Sequence, residues 1–469
     1  MRCKRFTPLI SLEIIDSALK ILSRHPLCDY CLGRQFASLG YGISNRERGI
    51  ALKTIIFMSA HKLIKENIEE GLEKIKLLST CNHFPSIKLL EKLGYDRPSP
   101  KLCFICEGYL DKKRFKEVAS KIIDELREYE FRNFLVGAKV PSEIREREDM
   151  IRSEYMITTG EDIKEDLTRE IGRLIQREIG KEIEYKTPEV VIIVDIFSDT
   201  YEVQVNPLFI YGRYRKLQKD IPQTSWYCRE CWGRGCIRCN YTGREYPESI
   251  SELIGGPAVE LFEAIDFKFH GAGREDVDAV VLGSGRPFII ELKHPRKRFI
   301  ELKILEEKIN QEAMGKVEVL DLRYSSRREL RLLKSLSPLV SKTYEAIVEF
   351  EYDVDEEALR KLTVEMSSIT IEQWTPTRVL KRRSDKLRKK KLHYVEAEKI
   401  NSKVVKFKIK AQGGLYIKEL IDGDNGRTKP SIMELLGNKP VKIQLAVLEV
   451  EKMQNYIEEG KREDNMSAG

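Results

Sequence analysis

No stretch of this 469-residue chain stays apolar for long. The greasiest run, Val190 to Val194, meets Asp195 after five residues, far short of the roughly 20 apolar residues that span a bilayer. Nor does the N-terminus read as a secretory leader, because Glu13 and Asp16 interrupt the apolar stretch after Arg5. The expectation is a cytoplasmic chain with no membrane partner. Cysteine is sparse: ten residues spread over so large a chain do not make a disulfide scaffold. Neither sign of charge dominates, since 82 basic and 75 acidic side chains leave +7. That excess permits an anionic partner without requiring one. No fixed-period repeat is visible, which sets a solenoid aside.

What is present argues for folded domains. Apolar residues make up 41% of the chain, enough for real cores and too many for a disordered one. At roughly 150 residues per domain, the length suggests about three. Eight of the ten cysteines form four C-x-x-C pairs: Cys28/Cys31, Cys103/Cys106, Cys228/Cys231 and Cys236/Cys239. One short loop can present two thiolates to one tetrahedral zinc, so the spacing points to structural metal. Cys3 and Cys81 are left over as ordinary thiols.

Residues 1–110 read as a helical, zinc-bearing segment. Ile14, Ile15, Ala18, Leu19 and Leu22 recur at helical spacing behind Ser11, a fitting N-cap. A second helix is expected through Ile50, Leu52, Ile55, Ile56 and Met58. Cys28/Cys31 and Cys103/Cys106 bracket the segment, either sharing one ion or acting as two separate thiol pairs. Residues 111–225 read as a small α/β unit. It has a helix over Ile163, Leu167, Ile171, Leu174 and Ile175 that stops at Gly180, then strands at 190–197 and 201–206. Its tail, Tyr211-Gly212-Arg213-Tyr214-Arg215-Lys216, is either an RNA-contacting surface or a solvated basic loop. Residues 226–244 form a knuckle in which Cys228, Cys231, Cys236 and Cys239 fall within twelve residues. Four thiolates leave no open metal position, so the metal's role there is to rigidify a linker, with Trp232 and the arginines free to meet a nucleic acid. Residues 245–457 read as one mixed α/β domain, and 458–469 as a frayed tail.

Three stretches carry chemistry. In Gly273-Arg274-Glu275-Asp276-Val277-Asp278, a close-approach glycine, a cation and an acid lead into an apolar run. Such a loop can hold an ionised carboxylate on the floor of a cleft, as nucleophile or base; a surface Asp–Arg turn is the plain alternative. In Gly413-Gly414-Leu415-Tyr416-Ile417-Lys418, Lys418 is a candidate counter-ion. Between 378 and 391 nine cations face one acid, Asp385, a run suited either to phosphates or to a solvated hairpin. Asp278 would share a strand face with Asp276 and is the rival nucleophile. Gly283-Ser284-Gly285, lying before a strand, reads as a hairpin turn.

At these residues the chain resembles a known family. Gly273-Arg274-x-Asp276, Gly285-Arg286-Pro287-Phe288, Thr375-Pro376-x-Arg378-Val379 and Tyr416-Ile417-Lys418-Glu419 through Gly426-Arg427-Thr428-x-Pro430 resemble the archaeal-type tRNA pseudouridine synthases acting on uridines 54 and 55 of the TΨC arm. The α/β unit is similar to a THUMP domain, an RNA-binding module. The resemblance implies an α+β, multidomain fold with a pseudouridine-synthase-type catalytic domain, working as a monomer on tRNA. It implies Asp276 as the catalytic residue and Tyr344 as the aromatic against the target base, although on pattern alone an aromatic like Tyr344 on an alternating strand is more often part of a core. Tyr416, Arg274 and Lys418 are implied as substrate-binding residues, with zinc only structural and no cofactor for catalysis, because the product is an isomer. A stacked uracil cannot be reached by a carboxylate, so such chemistry needs base flipping. Two other readings stay open: a THUMP-bearing methyltransferase, whose glycine-rich strand-to-helix loop is not found, and a non-catalytic, zinc-stabilised RNA-binding protein.

Overall fold

A computed structural model describes residues 9–451 apart from Arg382. Cys3 and the expected tail at 458–469 lie outside the described residues. The chain divides into two compact units, residues 1–206 and 207–469, each with its own core.

The first unit opens with helices α1 (Leu9–Arg24), α2 (Asp29–Arg34), α3 (Asn45–Lys65), α4 (Glu69–Thr80), α5 (Phe84–Lys92) and α6 (Lys112–Leu126). Ser11 lies inside α1, not at its cap. In α3, Leu52 and Ile56 are buried while Ile55 and Met58 face solvent. Then follow β1 (Asn133–Ala138), α7 (Ser142–Glu154), α8 (Ile163–Ile179), β2 (Glu182–Ile183), β3 (Val190–Asp195) and β4 (Thr200–Val205). α8 starts where the Asp162 carboxylate accepts from the Lys164 amide (2.6 Å) and stops at Gly180, as the spacing predicts. Its Ile163, Leu167, Ile171 and Ile175 are buried, and α6 and β1 pack against it. The sheet order is β2-β1-β3-β4, parallel except for β3 with β4. Truncating one of those core side chains, as in Ile171→Ala, costs about 2–5 kcal/mol.

The second unit comprises β5 (Leu208–Lys216), α9 (Ile250–Leu261), β6 (Asp266–Gly271), β7 (Val280–Lys293), α10 (Leu302–Glu312), β8 (Val317–Ser325), α11 (Arg327–Leu336) and β9 (Ser341–Phe350). It continues through α12 (Glu356–Glu365), β10 (Ile369–Gln373), β11 (Arg388–Lys399), β12 (Val404–Gln412), α13 (Ile417–Asp422), β13 (Thr428–Lys429), α14 (Ile432–Leu436) and β14 (Pro440–Val450). Nine strands run β13-β10-β11-β12-β9-β14-β7-β5-β8, and β6 adds to β7. The fold is α+β, as expected.

Three readings change here. Tyr211 to Lys216 belongs to β5, paired between β7 and β8, so it is neither the tail of the α/β unit nor a solvated loop. Residues 207–225, expected in the α/β unit, lie in the second unit. Gly283-Ser284-Gly285 is no hairpin turn but a bulge inside β7, where Tyr214 pairs with Arg286 and Lys216 with Val281. Gly283 and Gly285 are left-handed (φ 54° and 70°), and a Cβ at Gly283 would overlap the Leu448 carbonyl of β14. The bulge lets one strand leave β14 and run on beside β5 and β6.

Candidate active site

The loop between β6 and β7 is pinned from below. Gly273 is left-handed (φ 83°), and a Cβ there would lie 2.7 Å from Lys342 Nζ and 3.3 Å from Arg286 Nη1. Glu275 turns inward: its buried carboxylate pairs with Arg286 Nε at 2.8 Å and accepts from the Tyr214 hydroxyl at 2.8 and 2.9 Å. Gln223 Nε2 donates to the Tyr214 hydroxyl (2.9 Å) and the Gly273 carbonyl (3.0 Å), and Arg286 Nη1 to the Ala272 carbonyl (3.0 Å). Lys216 Nζ caps the Val277 carbonyl. This buried network of charge and hydrogen bonds fixes the backbone on either side of Asp276.

With Glu275 inward, Asp276 faces the other way, its side chain 28% exposed. Arg378 Nη1 donates to Asp276 Oδ1 at 2.8 Å, and Lys418 Nζ lies 3.8 Å from Oδ2. Lys418 donates more closely to Asp278, at 2.6 and 2.8 Å. Burial pushes Asp278 up, but Lys418 outweighs it and holds the carboxyl below its ordinary range. Both acids sit in the loop before β7 and share no strand face; Lys418 is what relates them.

Arg378 is also tied by Nε to Glu419 at 2.6 Å, a carboxylate almost wholly buried in α13. Burial raises the Glu419 pKa, with Arg378 opposing. The Arg378 guanidinium lies 5.9 Å from the centre of the Tyr416 ring, whose hydroxyl accepts from Arg383 Nη1 (2.8 Å). Gln373 fixes the Tyr416 backbone on both sides, through its amide (2.9 Å) and carbonyl (3.0 Å).

Tyr344 lies on β9 between Ile409 and Val447, half-buried, and packs against two core clusters. Its hydroxyl is pushed up to about 12, first by burial and then by the charges of Asp276 and Glu275, with Arg286 opposing. The ring therefore serves the core and still lies within the field of Asp276. Arg274 is placed over the Trp226 ring (4.9 Å), and the guanidinium on Asp276 is that of Arg378. In the sequence Arg378 stands out only as part of a motif and a basic run, and nothing local marks the buried Glu275–Arg286–Tyr214 set.

Both cysteine sets converge. Cys28, Cys31, Cys103 and Cys106 bring their sulfurs within 4.8 Å of one another, so the two N-terminal pairs make one site, and Cys228, Cys231, Cys236 and Cys239 do the same. Sulfur separations of 3.6 Å (Cys28–Cys106), 3.8 Å (Cys228–Cys236 and Cys231–Cys239) and 3.7 Å (Cys236–Cys239) match the edge of about 3.8 Å that a tetrahedral zinc–thiolate site requires. Either group can hold a metal ion. Cys81 is a buried free thiol. Among the described residues, no helix is long and apolar enough to cross a membrane.

A family model for the Pus10 C-terminal region matches residues 209–452, the span from β5 through β14, and one for the archaeal Pus10 THUMP domain matches 118–195. The tRNA pseudouridine synthase Pus10 of Thermofilum pendens is 42% identical over 449 residues, 96% of this chain and 97% of that protein. The chain belongs to the Pus10 family of tRNA pseudouridine synthases. The Pus10 of Methanothrix thermoacetophila is 41% identical, covering 94% of this chain and 95% of its own length. That of Methanocaldococcus jannaschii is 40% identical, covering 96% and 97%. The THUMP match falls in the first unit and the C-terminal match in the second, agreeing with the division at Asn206 and Pro207.

Proposed function

We propose that this chain isomerises uridine 54 and/or 55 in the TΨC arm of tRNA, with Asp276 as nucleophile. The observation that carries the reading is the setting of Asp276. It is held against Arg378 at 2.8 Å and Lys418 at 3.8 Å on a loop that Glu275 and Arg286 lock, with Tyr344 within its field. Two cations therefore face the carboxylate that the reading makes the nucleophile.

The target nucleotide leaves its stack and enters between Tyr344 and Tyr416. The Asp276 carboxylate bonds to the nucleotide, at ribose C1′ or at the base, as the glycosidic bond is given up. The uracil turns and rejoins C1′ through C5, the proton on C5 is lost, and N1 gains one. The carboxylate is released unchanged, so no redox or group-transfer cofactor enters the balance. Lys418 and Arg378 face the carboxylate's charge before it bonds and again when it is released, the negative charge resting on the uracil in between, and Arg274 supports the flipped nucleotide.

Exposed cations of the basic run, Lys381, Lys386 and Lys389, contact phosphate together with the THUMP domain, leaving the pocket to choose the base. Zinc in the two tetracysteine groups is structural. The test is incubation with an unmodified tRNA transcript and mapping of pseudouridine at single-nucleotide resolution. The reading predicts pseudouridine at 54 or 55. A transcript left unchanged, or modified only elsewhere, contradicts it.

A further inference from the structure

The tetracysteine knuckle presents more aromatic surface than a metal clip needs. Tyr227, Trp232 and Tyr241 are 75%, 78% and 74% exposed. Two of the three rings sit on left-handed backbone, Trp232 at φ 53° and Tyr241 at φ 62°. A bulky side chain at such a position is unfavourable, and glycine or asparagine is the usual occupant. Here nothing is recovered by burying the rings.

The rings are gathered on one small body. The two cysteine loops meet backbone on backbone: a Cβ at Gly235 would lie 2.8 Å from the Tyr241 carbonyl, one at Gly243 would overlap the Gly233 carbonyl, and one at Gly233 would lie 2.9 Å from the Tyr227 ring. Between 227 and 245 four cations, Arg229, Arg234, Arg238 and Arg244, outnumber the carboxylates Glu230 and Glu245. The pair Arg238–Glu230 (3.2 Å) is exposed on both sides and so weak and exchangeable. The more buried Glu245 holds Arg229 (3.6 Å) and Arg238 (3.4 Å), and Arg244 pairs with Glu252 (2.7 Å), each guanidinium keeping an exposed face. Flat, solvent-facing rings interleaved with guanidiniums fit unpaired nucleobases, whose faces stack on the rings while the phosphates meet the cations.

We propose that the knuckle is a second RNA-contacting surface, on which Trp232 and Tyr241, flanked by Tyr227, stack unpaired bases of the tRNA substrate. This rests on the tRNA reading above. The left-handed backbone supplies a clean test, because Trp232→Gly and Tyr241→Gly suit the conformation and delete only the rings. In the full, zinc-loaded chain the double variant should keep its metal, yet bind an unmodified tRNA transcript about tenfold or more weakly. Quenching of tryptophan emission by tRNA should also fall in W232G, since Trp232 is one of only three tryptophans. Unchanged affinity and unchanged quenching in the zinc-replete double variant overturn the proposal and leave isomerisation, read on the same samples, standing; a protein-docking surface would give that result. A parent chain that binds no tRNA overturns both proposals together.

Discussion

Arg378 reaches Asp276 across 102 positions of sequence and closes on it at 2.8 Å, while its other edge holds the buried Glu419 at 2.6 Å. One guanidinium thus supports the acid of the site and opposes the upward pull of burial on the Glu419 carboxyl. Lys418, the partner expected for Asp276, gives its shortest contacts to Asp278 instead. The cation that matters most for Asp276 comes from the basic run.

Arg378→Met should therefore do two separable things. It leaves Glu419 buried without its partner, costing about 2–3 kcal/mol of stability, and it removes half of the positive charge at Asp276. Adding Glu419→Gln should restore most of the melting temperature but none of the lost isomerisation, which should fall tenfold or more. Recovery of both together would mean that Arg378 acts only through the fold.

Lys342 lies 6% exposed beneath Gly273, and burial, followed by the like charge of Arg286, lowers it to about 7 from an ordinary value of 10.5. Between those values the folded chain holds fewer protons at this site than the unfolded chain. Stability must then rise as pH increases from about 7 to 10.5, by up to about 1.4 kcal/mol per pH unit from this group. Denaturant titrations across that range should show a flatter rise in Lys342→Met, together with higher stability at pH 7. An identical slope would place the ammonium in contact with water.

The basic run divides into cations engaged within the site, such as Arg378 and Arg383, and cations on the surface, among them Lys381, Lys386 and Lys389, the last paired with the exposed Glu372 at 2.8 Å. Changing these three lysines to Gln should weaken tRNA binding and flatten its dependence on log salt by about 0.7–0.9 for each phosphate that is no longer neutralised. A salt slope equal to that of the parent chain would show that these lysines do not meet phosphate.

Metal analysis should return two zinc ions per chain. Cys106→Ser, in a ligand set packed into the core of the first unit, should release one ion and lower that unit's melting temperature. Cys239→Ser should release the other and leave the ten-stranded sheet folded. A chain that carries no metal as isolated would remove both sites.

What could be read in advance was local. The end of α8 at Gly180, the β3 and β4 runs and the cysteine pairs follow from spacing over a few residues, and all appear in the fold. What could not be read was decided by distant neighbours. Two apolar runs flanking Gly283-Ser284-Gly285 look the same whether the chain turns back or bulges, and only the approach of β14 at Leu448 settles which. Glu275 resembles any loop acid until Arg286, Tyr214 and Gln223 surround it. Arg274 stands two residues before Asp276 and in sequence looks like its cation; the guanidinium that pairs with Asp276 comes from Arg378, whose place depends on Glu419 and on the loop it anchors.

The most direct test is single-turnover isomerisation by Asp276→Ala on an unmodified tRNA transcript, with binding measured on the same preparation. The account predicts that tRNA is still bound and that no pseudouridine appears at any enzyme concentration. Pseudouridine formed at the rate of the parent chain would contradict it.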